Sequence, residues 1–205
     1  MARLLVYWRT IERGIKKAEQ ISGNAMIPAI NELRYASRQI YFGILAYAKP
    51  MLNDGDKSVI RKRIIIAEQY LLNADHDTLD ATITFFREAI SRVNNLYGRP
   101  EIILHFPEYP LLCQIVEQCE ALILQTRGEY EKRKQNYDRI RNEYLDSLVG
   151  YFRKLESAEV NAEYNKRKLE RELVIARGKT TIWRIFTAVG ALGTLLGLVL
   201  YAWGR

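Results

Sequence analysis

The sequence contains few cysteines and histidines, and this shortage excludes several kinds of site. Its 205 residues include two cysteines, Cys113 and Cys119, and two histidines, His76 and His105. With so few soft ligands, and with no glycine-rich phosphate loop, we expect neither a bound metal nor a cofactor. On one helix, thiols six positions apart point about 120° away from each other. We therefore interpret both cysteines as small buried residues in a reducing compartment.

Prolines, glycines and alternating strand patterns are also scarce. There are five prolines and twelve glycines, while 48% of the residues are apolar and 27% are charged. This composition predicts a globular, all-α protein. The first residues have an apolar run of only about five positions before Arg9, which is shorter than a secretory signal requires. The formal net charge of +7 favours anionic partners, either phospholipid or nucleic acid.

Residues 1–98 show four apolar stripes at helical spacing, which predict a helical bundle. The third and fourth stripes indicate either two helices, with Asp77 as the N-cap of the second, or one bent helix. Ala29, Ala36 and Gly43 fall seven positions apart and predict a smooth face for close helix packing. The stripes consist of Leu4, Trp8, Ile11, Ile15 and Ala18; Met26, Ile30, Leu33, Ile40, Ile44 and Tyr47; Ile60, Ile64, Ala67 and Leu71; and Leu79, Ile83, Phe86, Ile90, Val93 and Tyr97.

The second half of the chain is expected to contain three segments. Residues 99–110 include three of the prolines and predict a connector. Residues 111–180 contain none and predict one long helix, whose first half packs on the bundle and whose second half is a solvated stalk or weak coiled coil. Residues 182–203 are predicted to form a single transmembrane helix.

The transmembrane prediction depends on the apolar run from Ile185 to Trp203, which contains no charge and is about 28 Å long as a helix. Trp183 precedes it, and Tyr201 and Trp203 are at its far end, where aromatic side chains favour membrane interfaces. A span followed by Gly204 and Arg205 alone predicts a tail-anchored protein.

Basic residues before the apolar run predict both orientation and lipid contact. The positive-inside rule leaves the N-terminal domain in the cytoplasm, and the same charges would contact anionic headgroups. These residues are Lys166, Arg167, Lys168, Arg171, Arg177, Lys179 and Arg184.

Glycines within the run favour self-association. Gly190, Gly193 and Gly197 let two helix backbones approach closely in lipid, and Gly193 with Gly197 forms a GxxxG pattern. We expect a homo-oligomer.

Two groups of residues have chemistry that an enzyme would use. Arg99 and His105 are separated by five residues, and this spacing resembles the Arg-x(4–6)-His signature of HEPN ribonucleases; the stripes in "NELRYASRQIYFGILAYAK" also resemble helices of HEPN-like bundles. The resemblance implies acid–base chemistry at His105 and phosphate support by Arg99, although Pro100 departs from the family pattern. Asp75, His76 and Asp77 are adjacent, and neighbours on a helix do not converge on a metal.

The predicted layout resembles that of bacterial tail-anchored effectors of anti-phage defence. This resemblance implies a non-enzymatic membrane effector or scaffold that senses a partner protein through its helical domain and acts by oligomerising in the membrane and permeabilising it. The alternatives are a membrane-tethered HEPN-like ribonuclease, with nucleic acid as its partner, and a tether similar in outline to SNARE proteins. The poor heptads before the apolar run make the tether the least favoured.

Overall fold

The computed structural model describes the backbone of residues 2–49, 51–125 and 130–203, and the side chains of residues 3–49, 51–125 and 132–176. Within these ranges the chain is all-helical and contains no strand, which confirms the predicted class. The elements are α1 (Ala2–Ser22), α2 (Ile27–Tyr47), α3 (Asp54–Tyr97), α4 (Arg99–His105), α5 (Tyr109–Leu124), α6 (Tyr130–Arg139), a π-helical segment (Ile140–Tyr144) and α7 (Leu145–Trp203).

The transmembrane helix predicted over residues 182–203 is not supported, and this part of the predicted fold is corrected. In the portion of the chain that the structure describes, no helix is long and apolar enough to cross a membrane. A span needs about 20 consecutive apolar residues, whereas the helical segments whose side chains the structure describes carry charges at short intervals.

The side chains from residue 177 onward lie outside the described residues, although the backbone of α7 is helical as far as Trp203. The residues predicted for membrane contact and self-association therefore lie outside that description. They are Trp183, Gly190, Gly193, Gly197, Tyr201 and Trp203, together with the basic residues Arg177, Lys179 and Arg184.

The core of the N-terminal bundle lies where α1, α2 and α3 meet. Ala29, Ala36 and Gly43 are the buried residues of α2, which confirms the predicted small-residue face. A Cβ on Gly43 would lie 3.7 Å from the Cβ of Arg63, so α2 and α3 pack closely at that point. The buried cluster consists of Leu4, Ile11, Ile15, Ala18, Met26, Ala29, Ala36, Ala67, Leu71 and Ala74.

Helix α3 is one continuous helix of 44 residues, so the third and fourth stripes belong to a single element. It begins with a capping box. The Asn53 side-chain oxygen accepts from the backbone N–H of Asp56, and the Asp56 carboxylate accepts from the backbone N–H of Asn53. It ends at Gly98, whose φ of +79° favours glycine. Asp77 lies inside α3 and caps nothing, so its predicted N-cap role was wrong.

Two of the three prolines in residues 99–110 mark helix starts, and Pro107 lies in the turn between the two helices. Pro100 lies in the first turn of α4, and Pro110 lies in the first turn of α5. Proline is well tolerated there because its missing N–H has no helical partner to lose. The segment is therefore mostly helical.

Residues 111–180 do not form one helix, because α5 ends at Leu124 and α6 begins at Tyr130. The chain then passes through the π-helical segment into α7. A buried stripe of Tyr137, Ile140, Leu148, Phe152 and Leu155 packs this part on the bundle, and Phe152 contacts the rings of Phe85 and Phe86.

The chain divides into two compact units, residues 1–156 and 157–205. The described part of the second unit is helical and exposes several apolar side chains. These are Val160, Tyr164, Leu169, Leu173, Val174 and Ile175.

Candidate functional site: a cleft and a polar junction in the first unit

A cleft of about 740 Å³ opens between α1, α3, α6 and the π-helical segment. Positions three and four apart on a helix share one face, so α1 presents Leu4 and Tyr7 together, and α3 presents Glu68 and Leu72. The lining residues are Arg3, Leu4, Val6, Tyr7, Thr10, Ile65, Glu68, Gln69, Leu72, Lys134, Asp138 and Arg141.

The cleft combines exposed apolar walls with charges of both signs. Val6 is 66% exposed and Ile65 is 59% exposed, so two large apolar side chains face solvent at its edge. Arg3, Lys134 and Arg141 supply positive charge, while Glu68 and Asp138 supply negative charge. Such a surface suits a ligand that has both apolar and charged groups.

Arg141 connects the cleft to a buried carboxylate. Its guanidinium donates through Nη2 to Asp75 of α3, and Nη1 lies 3.3 Å from the Asp138 carboxylate. Burial raises the pKa of Asp75, and the positive charge of Arg141 opposes that rise. The ion pair therefore keeps an otherwise costly buried carboxylate in place.

His76 is buried beside this ion pair and stacks on Tyr137. The two ring centroids are 4.0 Å apart at 27°. In the described part of the chain, neither ring nitrogen of His76 has a hydrogen-bond partner. Burial, with the positive charges of Arg133 and Arg141, lowers the pKa of His76 to about 4, so the ring is neutral near pH 7.

Tyr137 joins α6 to α3 by a second polar contact. Its hydroxyl donates to the Asp80 carboxylate at 2.6 Å, and the guanidinium of Arg133 lies over its ring at 5.6 Å. Burial raises the pKa of the Tyr137 hydroxyl, so it stays protonated and can keep donating. We call the set Asp75, His76, Asp80, Tyr137 and Arg141 the polar junction.

The π-helical segment lies at the centre of this arrangement. It begins at Ile140, which is fully buried, and includes Arg141. A π-turn inserts one residue into the helical register, and such insertions occur often at functional sites. Tyr137, before this segment, contacts α3 at Asp80, and Arg141, within it, contacts α3 at Asp75 and lines the cleft.

A second cavity of about 100 Å³ shares Thr10, Asp75 and Arg141 with this region. Thr78 and Thr82 line it too. The Thr78 hydroxyl donates to the backbone carbonyl oxygen of Ala74 at 2.7 Å, and the Thr82 hydroxyl donates to that of Thr78 at 2.7 Å. Since Thr10 and Arg141 line both spaces, the smaller cavity is adjacent to the cleft.

The adjacent Asp75, His76 and Asp77 do not form a metal site. Asp75 pairs with Arg141 and His76 stacks on Tyr137, whereas burial and the charges of Glu32 and Asp80 raise the pKa of Asp77. Across the described ranges, no group of three or more His, Cys, Asp or Glu side chains is arranged to hold a metal ion.

Arg99 and His105 are at opposite ends of the short helix α4. His105 Nε2 lies 3.3 Å from the Glu101 carboxylate one turn earlier. The positive charge of Arg99 instead acts on Tyr109 and Cys113, where it opposes the rise in pKa caused by burial. The two residues thus have different neighbours, and their role in HEPN-like chemistry stays a prediction.

The basic residues predicted to contact lipid are only partly described. Lys166, Arg167, Lys168 and Arg171 are exposed on α7 in the second unit. Arg167 donates to Glu163 at 2.6 Å. Their contact with headgroups stays a prediction.

Asp80, Arg133, Tyr137 and Arg141 were not predicted as site residues. The signal in the sequence was the polar run "NADHDT" between the third and fourth apolar stripes, because buried polar side chains require partners. The partners come from residues more than 50 positions later, which the local pattern does not identify.

Comparison with known proteins gives no relative for this chain: no family model, no curated protein and no solved structure matches it.

Proposed function

We propose that this protein is a non-enzymatic effector or scaffold whose helical bundle recognises a protein partner in the cleft between α1, α3 and α6. The observation that carries the proposal is the cleft itself, in which Val6 and Ile65 are exposed beside charges of both signs. Protein interfaces commonly have an apolar centre and a polar rim.

The ionisable groups near the cleft favour binding over catalysis. Asp75 and Asp138 both accept from Arg141, whose guanidinium stays protonated and exchanges no proton. His76 is buried against Tyr137 and does not line the cleft. These side chains hold α3 and the π-helical segment together, which positions the walls of the cleft.

A homo-oligomer remains part of the proposal, since a second copy is one form that the protein partner can take. The permeabilising step does not, because it required the transmembrane helix. What remains of the predicted role is partner recognition followed by assembly.

Charge substitution at the cleft tests the proposal. Val6→Glu places a carboxylate on the apolar wall, whereas Leu5→Glu makes the same change at the neighbouring residue, which is 51% exposed and does not line the cleft. Each tagged protein is produced in cells, cross-linked with a short amine-reactive reagent and purified. The cross-linked proteins, including second copies of the chain, are then measured by quantitative mass spectrometry.

We expect Val6→Glu to lose a specific partner that both the original chain and Leu5→Glu retain, by roughly tenfold for a contact that contributes about 1.4 kcal/mol. If Leu5→Glu loses the same proteins to the same extent, the cleft has no special role. If all three chains recover the same proteins equally, the proposal is wrong.

A HEPN-like ribonuclease is the second candidate. The observation in its favour is the histidine–carboxylate pair of His105 with Glu101, because a carboxylate partner can hold a histidine ring in a fixed orientation for acid–base chemistry. The full chain and His105→Ala are incubated with single-stranded RNA. Cleavage by the original chain and its loss in His105→Ala would support this candidate, and equal inactivity of both would remove it.

A further inference from the structure

The α2–α3 hairpin extends beyond the part of the bundle that α1 covers. The first residues of α1, Arg3 and Leu4, line the cleft with α3 residues 65–72. The C-terminal half of α2 and the first turns of α3 lie farther along the hairpin. We call residues 37–49 and 51–66 the hairpin end.

The hairpin end is rich in apolar residues but has almost no core. Among its described residues only Gly43 and Asp56 are buried. Ile60 and Ile64 continue the stripe of Ala67 and Leu71, yet they are only half-buried. The large apolar side chains that are exposed here are Tyr41, Ile44, Leu45, Tyr47, Met51, Val59 and Ile65.

The exposed apolar residues are distributed around the tip rather than along one groove. Tyr41, Ile44, Leu45 and Tyr47 cover about half the circumference of α2 at 100° per residue. Met51, in the loop between the helices, is 87% exposed. A broad surface that meets the tip would therefore cover more apolar area than a single partner helix in one groove.

The same region has a net positive charge. Residues 37–66 contain six basic and two acidic side chains, whereas the formal net charge of all 205 residues is +7. Both acidic residues are already paired, Asp54 with Lys57 and Asp56 with Lys49.

Four basic side chains of the hairpin end have no carboxylate partner in the described part of the chain. Arg38 and Arg63 lie over the ring of Phe42, and Arg63 also donates to Gln39. Arg61 and Lys62 are exposed next to Val59 and Ile60. Positive charge and exposed apolar side chains are thus interleaved at one end of the molecule.

Charge selects among the surfaces that could cover this end. A second copy placed end to end would bring two positive regions together, which like-charge repulsion disfavours. Single-stranded nucleic acid would pair with the charges, but it gains affinity by stacking on aromatic rings and would leave Ile44, Leu45 and Met51 without matching groups. An anionic lipid surface accommodates both the apolar and the basic side chains. Aliphatic side chains lie at the acyl boundary, and basic side chains contact the headgroups.

We infer that the hairpin end is a peripheral docking surface for anionic lipid membranes. Tyr47 and Met51 enter the interface at the tip, and Arg61 and Lys62 contact the headgroups from the first turns of α3. The hairpin end meets the cleft at Ile65, but none of the four residues proposed for lipid contact lines the cleft. The inference can therefore be tested independently of the proposed function.

Hydrogen–deuterium exchange locates the contact within the full chain. The protein is mixed with phosphatidylcholine vesicles that contain about 30% phosphatidylserine, and with vesicles of phosphatidylcholine alone. We expect amide exchange of residues 44–52 to slow with the anionic vesicles only, because a docked tip opens less often. Unchanged exchange in the hairpin end, whatever happens elsewhere in the chain, overturns the inference. Stronger protection by single-stranded RNA than by these vesicles overturns it in favour of a nucleic-acid surface.

A matched pair of variants separates local contact from net charge. Arg61→Gln with Lys62→Gln removes two charges at the hairpin end, and Arg9→Gln with Arg13→Gln removes two exposed charges from α1. The first variant should bind the anionic vesicles roughly tenfold more weakly in a flotation assay, and the second should bind nearly as well as the original chain. Equal weakening by both variants would mean that only net charge matters, which contradicts the inference.

Tyr47→Ser with Met51→Ser keeps the charge and should also weaken binding; undiminished binding by this variant excludes insertion of the tip.

Discussion

Asp75, His76 and Tyr137 show how far apart in sequence the determinants of one buried site can be. The local pattern indicated that Asp75, His76 and Asp77 would not converge, and the structure agrees. It did not indicate their partners, because hydrogen bonds and ion pairs between α3 and the π-helical segment depend on packing of whole helices. A polar residue within an apolar stripe shows that a partner is needed but not which residue supplies it.

Replacing one partner of the buried ion pair should lower the free energy of unfolding more than replacing both partners. Arg141→Met leaves the Asp75 carboxylate buried without its cation, and we expect a loss of about 3 kcal/mol in the free energy of unfolding. Asp75→Leu combined with Arg141→Met should recover most of that loss, since no buried charge remains. Urea denaturation followed by circular dichroism measures both proteins.

The exposed pair Arg139–Glu143 provides the control for this experiment. Arg139→Met should change the stability by less than about 1 kcal/mol, because both partners are half-exposed. A double variant as unstable as Arg141→Met alone would show that the ion pair is not the source of the cost.

His76 should make the stability depend on pH. Its pKa falls from 6.5 in the unfolded chain to about 4 in the folded protein, so the unfolded chain binds the proton more readily. The contribution of the neutral ring is therefore fully present above pH 6.5 and declines as the pH falls toward 4. The facing cations are Arg133 and Arg141, and Tyr137 covers one face of the ring.

His76→Phe tests this dependence while keeping Asp75 in both proteins. The midpoint of urea denaturation should fall more steeply between pH 6.5 and pH 4 for the original chain than for His76→Phe. Parallel curves for the two proteins would show that His76 does not carry the dependence.

At the scale of single elements, apolar spacing predicted some packed faces and missed others. Ile44 and Tyr47 belong to the predicted core stripe of α2, yet both are exposed. The buried residues of α1 and the small-residue face of α2 follow directly from their stripes. The predicted connector is instead two helix starts, because Pro100 and Pro110 each occupy a first turn. The π-helical segment was not predicted from the sequence, and it begins at the fully buried Ile140.

The small-residue face of α2 gives a prediction about helix packing. A Cβ on Gly43 would make ordinary van der Waals contact with Arg63, so Gly43→Ala should raise the stability by about 0.5–1 kcal/mol through its better helix propensity. Ala36 is fully buried, so Ala36→Leu should lower the stability by about 1–3 kcal/mol through overpacking.

Thermal denaturation followed by circular dichroism compares these two variants, with Ser37→Leu on the exposed side of α2 as the control for added volume. Equal stability of Ala36→Leu and Ser37→Leu would contradict close packing of α2 on α3.

At the scale of the whole molecule, composition was sufficient to predict an all-helical protein, and the apolar C-terminal run led to the wrong expectation of a transmembrane helix. That prediction considered the length and aromatic ends of one segment, and no helix that meets the requirements for a span is found among the described residues. The cleft was not predicted at all. It is formed by α1, α3 and α6 together, and its exposed wall at Ile65 lies outside the predicted apolar stripes.

The claim that the cleft binds a protein partner is tested most directly by a photo-cross-linking amino acid at position 65. The same amino acid at position 104 is the control, because Leu104 is 70% exposed on α4 and does not line the cleft. The account predicts one discrete cross-linked product from position 65, identified by mass spectrometry as a protein or a second copy of this chain, and absent from position 104. The same products from both positions, or none from position 65 in cells where the protein acts, would contradict it.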